Sequence, residues 1–152
     1  MSKKLFKYRA NAYHHVTFCT KRRKPILAGE IRDRVHYWLR QLAEERSFEL
    51  IEYNTWLDHV HMLIFVRSNE DLSHVMQILK GASARRIFQE FDDLKMQIGE
   101  NHLWGRRFRA DVVPVQALDE VRQYIRDQER IHTARAAESA ISALEQWRHL
   151  DA

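Results

Sequence analysis

The pattern of apolar and polar residues along the chain predicts four β-strands and two helices. Side chains of a strand point alternately to its two faces, and Val16 and Phe18 alternate in this way with Thr17 and Cys19. The predicted strands are residues 14–22, 49–57, 59–66 and 109–116. Apolar residues at helical spacing predict one helix over 31–46 and another over 72–91. The order β-α-β-β-α-β predicts an α+β fold, a ferredoxin-like sandwich in which helices cover one face of an antiparallel sheet.

Further helices are predicted after the last strand. The spacing of apolar residues predicts a third helix over 119–132, and the alanine-rich sequence beyond it predicts an amphipathic helical tail. Residues 92–105 are polar and are expected to form a loop. Pro114 has no N–H group to donate, so the strand that contains it is expected at an edge of the sheet or at a bulge. We therefore expect a domain of residues 1–132 and a helical tail of residues 133–152.

Composition places the chain among single-domain globular proteins. Its 152 residues are 45% hydrophobic and 30% charged, which is enough apolar material for a packed core. Cys19 is the only cysteine, so no internal disulfide can form and a reducing compartment is expected. No apolar run approaches membrane-spanning length, and the N-terminus lacks the apolar segment of a secretion signal. These features predict a cytoplasmic protein that does not enter a membrane.

Positive charge is clustered along the chain. Lys and Arg outnumber Asp and Glu by 25 to 21, which gives a net charge of +4 and a pI near 9.4. The clusters together suit a polyanion, although any one of them alone is more simply a solvated surface. The candidate DNA-binding residues are Lys21, Arg22, Arg23, Lys80, Arg85, Arg86, Arg106, Arg107 and Arg109. Trp104 and Phe108 lie among them and either stack on exposed bases or serve only in packing.

Two histidines lie in a strand that otherwise has the pattern of a buried one, WLDHVHMLIFV over residues 56–66. His59 and His61 are two residues apart and share one face of the strand, while Val60 and its apolar successors share the other. Two imidazoles on one face can bind a divalent metal ion together, with a third ligand from elsewhere. The alternative is a pair of hydrogen-bonded histidines on a solvent-facing sheet. Asp58 either orients an imidazole as an acceptor or is a turn residue.

A tyrosine and a glutamine lie one turn apart on the third predicted helix. Tyr124 and Gln128 are four residues apart, so both side chains lie on the stripe expected to face the protein. A buried glutamine amide needs partners, and a metal ion is one of them. A tyrosine at such a site can act as a nucleophile through its phenolic oxygen. A core tyrosine beside a glutamine at a helix flank is the commoner situation, so the pair is informative only together with the histidines.

Taken together, these segments resemble a known family. The matching residues are His59-Val60-His61 within LDHVHMLIFV and Tyr124-Ile125-Arg126-Asp127-Gln128, accompanied by FCTKRRKPIL and LKGASARRIF. They are similar to segments of the single-tyrosine HUH transposases of the insertion sequence 200/605 group, where HUH denotes histidine, a bulky hydrophobic residue and histidine. The resemblance covers about residues 12–132.

The resemblance implies a function and a set of site residues. It implies a homodimer with a ferredoxin-like fold that cuts and rejoins single-stranded DNA, recognises hairpins at the DNA ends and depends on Mg²⁺ or Mn²⁺. By this likeness His59, His61 and Gln128 hold the metal, and Tyr124 attacks a phosphate to form a 5′-phosphotyrosine. The covalent bond retains the energy of the cleaved ester, so no nucleotide cofactor is expected, and the chain has no P-loop pattern.

Three other interpretations remain open from the sequence. A domesticated nickase or a rolling-circle initiator would use the same catalytic residues, so the sequence does not separate it from a transposase. A non-catalytic module that binds single-stranded DNA or RNA on its open sheet face would show no metal dependence, and the chain lacks the glycine-aromatic motif of one such group. An inactive remnant is the third interpretation, which the intact HVH and Tyr-x-x-x-Gln patterns disfavour.

Overall fold

The computed structural model describes residues 10–150, and that part of the chain forms a four-stranded sheet with helices on both faces. The strands are β1 (Ala12–Cys19), β2 (Glu49–Trp56), β3 (His59–Val66) and β4 (Arg109–Val113). The helices are α1 (Gly29–Glu45), α2 (Leu72–Glu90), α3 (Leu94–Ile98), α4 (Leu118–Arg126) and α5 (Gln128–Leu150). Short 3₁₀ turns follow β1 and β4. Residues 1–9 of the predicted domain and 151–152 of the predicted tail lie outside the described residues.

The sheet has the strand order β2-β3-β1-β4, and every neighbouring pair is antiparallel. The two central strands, β1 and β3, pair from Ala12 opposite Val66 to Cys19 opposite His59. Pro114 directly follows β4, which is an edge strand, as its missing N–H group predicts. The strand order and the two helices on one face are those of the ferredoxin-like α+β sandwich, so the predicted fold class is confirmed.

The main hydrophobic core lies between the sheet and the helices α1 and α2. Val60, Met62 and Ile64 of β3 are at most 1% exposed and face these helices, as strand alternation predicts. Leu39 of α1 and Leu79 of α2 are fully buried in the same core. Each apolar side chain of this size contributes roughly 1.5–3 kcal/mol when it leaves water. This burial fixes which face of β3 meets the helices, and the histidine pair therefore lies on the opposite face.

Local side-chain chemistry sets the helix boundaries. The carboxylate of Asp71 accepts a hydrogen bond from the backbone N–H of Ser73 at 3.1 Å and so caps the start of α2. Helix α3 ends at Gly99, whose φ of 70° lies in the left-handed region that glycine adopts without strain. Helix α3 falls within residues 92–105, where only a loop was predicted. Its five residues are too few to produce a recognisable periodicity.

A second helical layer covers the other face of the sheet. Ile125 of α4 is fully buried against Leu63 and Val113 in a smaller apolar cluster. The chain leaves the helical conformation at Asp127 and continues as α5, so the prediction of one helix over 119–132 is wrong in its boundaries. Asn54 of β2 gives a physical reason, because its Nδ2 donates to the last two carbonyls of α4. A tertiary contact thus satisfies acceptors that a helix end leaves without partners.

Helix α5 begins at the sheet and carries exposed apolar residues further along. Ile141 and Leu144 are 56% and 59% exposed. The helix runs across residue 132 without a break, and the division into a domain of residues 1–132 and a tail of residues 133–152 stays a prediction. Within the described part of the chain, no helix has the length and apolar character needed to cross a membrane.

The partly buried His36 of α1 predicts a pH-dependent stability. Its Nε2 lies 2.8 Å from Thr55 Oγ1 on β2, and burial, with a smaller effect from Arg32, lowers its pKa to about 4. The unfolded chain takes up this proton near pH 6.5, whereas the folded protein resists it until about pH 4. Stability contributed by neutral His36 is therefore lost as the pH falls through this window. The loss between pH 7 and pH 5 is expected to be about 2 kcal/mol.

Urea unfolding at pH 7 and pH 5 measures this loss, with His36→Gln as the matched variant. The glutamine can retain a hydrogen bond to Thr55 and does not titrate. Between pH 7 and pH 5, the unfolding free energy of the wild type should therefore fall by about 2 kcal/mol more than that of the variant. Identical pH dependence in the two proteins would show that His36 is not the titrating group.

Candidate active site

The two histidines of β3 lie on the sheet face that α4 and α5 cover. His59 is opposite Trp56 of β2, and His61 is opposite Asn54. The two histidines are buried, at 7% and 6% exposure, and their ring centroids lie 4.9 Å apart. The sheet face that carries them is therefore a covered one, which excludes a pair of solvent-facing histidines.

Each histidine of the pair is oriented through its Nδ1 atom. His59 Nδ1 lies 2.7 Å from Asp58 Oδ1, and because a carboxylate accepts hydrogen bonds, the imidazole proton belongs on Nδ1. His61 Nδ1 lies 2.9 Å from Nε2 of His15 on β1. In both rings Nε2 is therefore the atom that could bind a ligand. Metal-binding histidines commonly have this arrangement, in which a partner on the second nitrogen fixes the ring.

Electrostatics keep His61 in the form that binds metals. Burial lowers the pKa of His61 to about 3, and the neighbouring histidine rings add to this effect. At pH 7 the ring is therefore neutral and can donate a lone pair. Burial alone would raise the pKa of Asp58, but hydrogen bonds from His59 and Arg23 outweigh it and hold that pKa below its ordinary value. Asp58 is thus an anionic acceptor at pH 7 that orients His59.

Tyr124 and Gln128 lie at the break between α4 and α5, next to the histidines. The Tyr124 ring is edge-on to His61, with centroids 5.6 Å apart, and it is 39% exposed. Gln128 is fully buried and donates from Nε2 to the Tyr124 carbonyl at 2.9 Å. Its Oε1 lies 3.1 Å from His132 Nε2. The four residues singled out as catalytic or metal-binding therefore lie together.

The donor atoms at this point fit a divalent metal ion. Imidazole nitrogen suits first-row transition metals, and an amide oxygen suits Mg²⁺ and Mn²⁺. Within residues 10–150, no three His, Cys, Asp or Glu side chains form a group that could hold a metal. The third protein ligand beside His59 and His61 would then be the buried amide of Gln128. The partners on both Nδ1 atoms support this fit, because they leave Nε2 as the ligating atom of each ring.

Alternate residues of β2 hold the tyrosine-bearing helix in place. Glu52 accepts a hydrogen bond from Arg126 of α4 at 2.9 Å. Asn54 donates to two carbonyls at the end of α4, at 2.9 and 3.1 Å. Trp56 stacks on a ring of α5, with centroids 4.9 Å apart and planes 9° apart. Because residues two apart share a strand face, these side chains form one row that fixes α4 and α5 over the histidine pair.

An open cavity of about 1180 Å³ lies beside the histidines. His61 and Tyr124 form part of its wall. Four of the predicted DNA-binding residues also line the cavity: Lys21, Arg106, Arg107 and Arg109. Asp111 also lines it, and its carboxylate lies 3.2 Å from Arg109 Nε. A strand of nucleic acid in this cavity would place its phosphates among cationic groups and beside the tyrosine ring.

A second cavity of about 890 Å³ lies along α2. Arg85 lines it together with Lys21 and Arg106. Phe108 and Arg106 line both cavities, so the segment 105–108 forms the ridge between them. The two basic surfaces are therefore continuous, and Phe108 lies where a base could stack on it.

Lys80 and Trp104 keep the ridge segment 105–108 in place. Lys80 Nζ donates to the carbonyls of Gly105 at 2.6 Å and Arg107 at 3.1 Å. Trp104 is 6% exposed, and its Nε1 donates to Ser83 Oγ at 2.9 Å. Trp104 therefore serves in packing, which was one of its two expected roles. These contacts do not test the prediction that Lys80 binds DNA, but they give it a structural role as well.

Three predicted DNA-binding arginines have protein partners away from the ridge. Arg22 pairs with Glu100 at 2.8 Å. Arg23 pairs with the carboxylate that orients His59, at 3.0 Å. The guanidinium of Arg86 lies over the Trp38 ring at 5.0 Å, between α1 and α2. The structure does not bring these three into the two cavities, and their role in DNA binding stays a prediction.

Sequence reasoning did not single out three residues of the site, His15, Asn54 and His132. His15 comes directly after another histidine near the start of β1, and nothing in the neighbouring sequence indicates its contact with His61. Asn54 lies in a predicted strand, but the carbonyls that accept its hydrogen bonds are 71 and 72 residues away in the sequence. His132 had a recognisable signal, since it lies four residues after Gln128 and therefore on the same side of a helix.

Comparison with known sequences identifies relatives over most of the chain. The family model described as "Transposase IS200 like" matches residues 8–128. The ISDra2 transposase TnpA of Deinococcus radiodurans is 30% identical over 115 residues, which are 76% of this chain and 82% of that protein. The transposase for insertion sequence element IS200 of Salmonella typhimurium is 31% identical over 126 residues, 83% of this chain and 82% of that protein.

Comparison with solved structures agrees with the comparison of sequences. A crystal structure described as a transposase from Deinococcus radiodurans superimposes with a TM-score of 0.63 at 30% identity, over 80% of this chain and 93% of that one. A tyrosine transposase bound to a REP hairpin superimposes with a TM-score of 0.58, over 87% of this chain and 74% of that one. At 17% identity the second likeness supports the fold alone.

Proposed function

This chain belongs to the IS200-like transposase family, and we propose that it cuts and rejoins single-stranded DNA through a covalent bond to Tyr124. Transposition of DNA is the function that this membership supports. One observation carries the proposed chemistry. A partly exposed tyrosine lies on the wall of a basic cavity, with its ring 5.6 Å from that of a buried, neutral histidine.

The reaction is a transesterification with Tyr124 as nucleophile. The phenolic oxygen attacks the scissile phosphorus and loses its proton. The bond between phosphorus and the 3′ oxygen breaks, and that oxygen leaves as a 3′-hydroxyl after taking up a proton. The product is a 5′-phosphotyrosine, and attack by another 3′-hydroxyl reverses these steps and rejoins a strand. One phosphodiester replaces another, so no energy-rich nucleotide is required.

We propose His59, His61 and Gln128 as the ligands of a Mg²⁺ or Mn²⁺ ion. Such an ion supplies charge that polarises the scissile phosphate and offsets negative charge on its oxygens. The protein's own contribution is orientation. Asp58 and His15 fix the two imidazoles, and the row of β2 residues fixes the tyrosine helix against them.

Substrate binding is proposed for the two basic cavities. Arg106 and Arg107 lie on the ridge segment and face the cavity that contains Tyr124. Phe108 offers an aromatic face to an unpaired base, which is typical of surfaces that bind single strands. Recognition of hairpins at the DNA ends and assembly as a homodimer are further parts of the proposal, and they rest on family membership.

Charge reversal of the ridge should weaken DNA binding. The double variant Arg106→Glu, Arg107→Glu is expected to lower affinity for single-stranded DNA at least about tenfold at low salt. Loss of two phosphate contacts on a single strand should also reduce the slope of log K against log salt by about 1.4. Fluorescence anisotropy over a salt series measures both quantities. Arg40→Glu, an exposed residue of α1, is the matched control and should change neither.

The chemistry itself is tested on a denaturing gel. End-labelled single-stranded oligonucleotides that carry hairpins from the flanks of the gene are incubated with the protein, either with Mn²⁺ or with a chelator. A metal-dependent band of protein joined to DNA is expected. DNA binding without such a band would favour the alternative function, a non-catalytic nucleic-acid-binding module.

A further inference from the structure

His132 is a fourth imidazole at the site, and it is held on two sides. Its ring stacks on Trp56 with centroids 4.9 Å apart and planes 9° apart. Its Nε2 lies 3.1 Å from Gln128 Oε1. The ring also lies edge-on to His59, with centroids 5.0 Å apart. His132 thus connects an anchored tryptophan of β2 to the amide that we propose as the third metal ligand.

The orientation of the Gln128 amide follows from its partners. Its Nε2 group donates to the backbone carbonyl of Tyr124, which can only accept. Oε1 therefore faces the histidines, and His132 must carry its proton on Nε2 in order to donate to it. A carbonyl oxygen has two lone pairs, so Oε1 can accept this hydrogen bond and still ligate a metal ion.

A glutamine side chain needs such a restraint. It has three rotatable bonds, and fixing a flexible side chain opposes binding unless the bound conformation is already favoured. The hydrogen bond to Tyr124 holds one end of the amide. The other end, which would contact the metal, is held by His132.

We infer that His132 is a positioning residue that holds Gln128 Oε1 in place for the metal ion, with Trp56 holding His132 in turn. The inference rests on the proposed function, because it concerns the metal ligand named there. His132 acts through Gln128 and is not itself a ligand. Within the described residues, no three histidine, cysteine or acidic side chains form a metal-binding group, although His59, His61 and His132 lie close together.

Mn²⁺ affinity of the full chain without DNA tests this role. Isothermal titration calorimetry compares the wild type with two variants. One keeps an aromatic ring without the N–H donor, and the other keeps an N–H donor without the ring. His132→Phe keeps an aromatic ring for Trp56 but removes the donor, and it should weaken Mn²⁺ binding about tenfold or more. His132→Gln keeps an N–H donor near the position of Nε2 and should bind within about threefold of the wild type. Thr133→Ala, a neighbouring exposed residue, should leave the affinity unchanged.

The outcomes separate this inference from the proposed function. Wild-type protein that does not bind Mn²⁺ would overturn the proposed metal site, and the role of His132 with it. Equal binding by the wild type and His132→Phe would overturn the role of His132 alone. A folded His132→Gln protein with weak Mn²⁺ binding would also overturn it, because the donor would then not be what matters. Thermal unfolding of each variant shows whether the comparison concerns folded protein, and His132→Gln decides the question if His132→Phe folds poorly.

Discussion

Replacing Tyr124 with phenylalanine is expected to abolish the covalent protein–DNA adduct, with a loss of at least about 1000-fold in the cleavage rate. The substitution removes one oxygen atom, the proposed nucleophile, and retains the ring that contacts His15 and His61. Because the ring remains, the helix should stay docked and DNA affinity should stay within about twofold. The denaturing gel measures the adduct, and fluorescence anisotropy measures binding.

Tyr37→Phe is the matched control, since Tyr37 lies on α1 and contacts Trp38 rather than the site. It removes the same oxygen atom at a distance from the histidines and should leave the adduct at the wild-type level. An adduct that persists in Tyr124→Phe would place the covalent bond on another residue and refute the assignment of the nucleophile.

Replacing His61 with alanine is expected to weaken Mn²⁺ binding by at least about 100-fold and to reduce adduct formation about 1000-fold. His61 is the residue around which the site is built, because it contacts His15, His59 and Tyr124. Its low pKa, about 3, keeps it neutral and able to ligate at every pH where the assay runs. Calorimetry with Mn²⁺ and the denaturing gel measure the two effects separately.

His74→Ala serves as the control, because His74 is an exposed residue of α2 outside the site. It should change neither quantity. If His61→Ala loses the adduct but binds Mn²⁺ as tightly as the wild type, the metal site lies elsewhere and His61 has another role. If both activities persist, the HVH pair is not part of the active centre.

The fold could be predicted from the sequence because its signals are local. Alternation along β3 alone assigned Val60, Met62 and Ile64 to the core and the histidines to the other face, and the structure has this arrangement. The helix break at Asp127 was not predicted, because no proline or glycine marks it. Its physical cause includes a hydrogen bond from Asn54, 71 residues away in sequence.

The site could be predicted only in part, because some of its signals are local and others depend on residues far apart in the sequence. The HVH and Tyr-x-x-x-Gln patterns are each confined to five residues or fewer, so they are visible in one segment. The bond between His15 and His61 spans 46 residues and depends on the β1–β3 pairing. Charge clusters are local as well, but the partners that draw Arg23 and Arg86 away from the cavities are not.

The central claim is that Tyr124 becomes joined to a 5′-phosphate of single-stranded DNA, and mapping the adduct by mass spectrometry tests it most directly. Adduct formed with Mn²⁺ is digested with nuclease and trypsin, and the peptide of residues 123–126 is examined for a nucleotide. The account predicts a nucleotide attached through its 5′-phosphate to Tyr124, together with a released strand that ends in a 3′-hydroxyl. A nucleotide on a different residue, or a tyrosine joined to a 3′-phosphate, would contradict it.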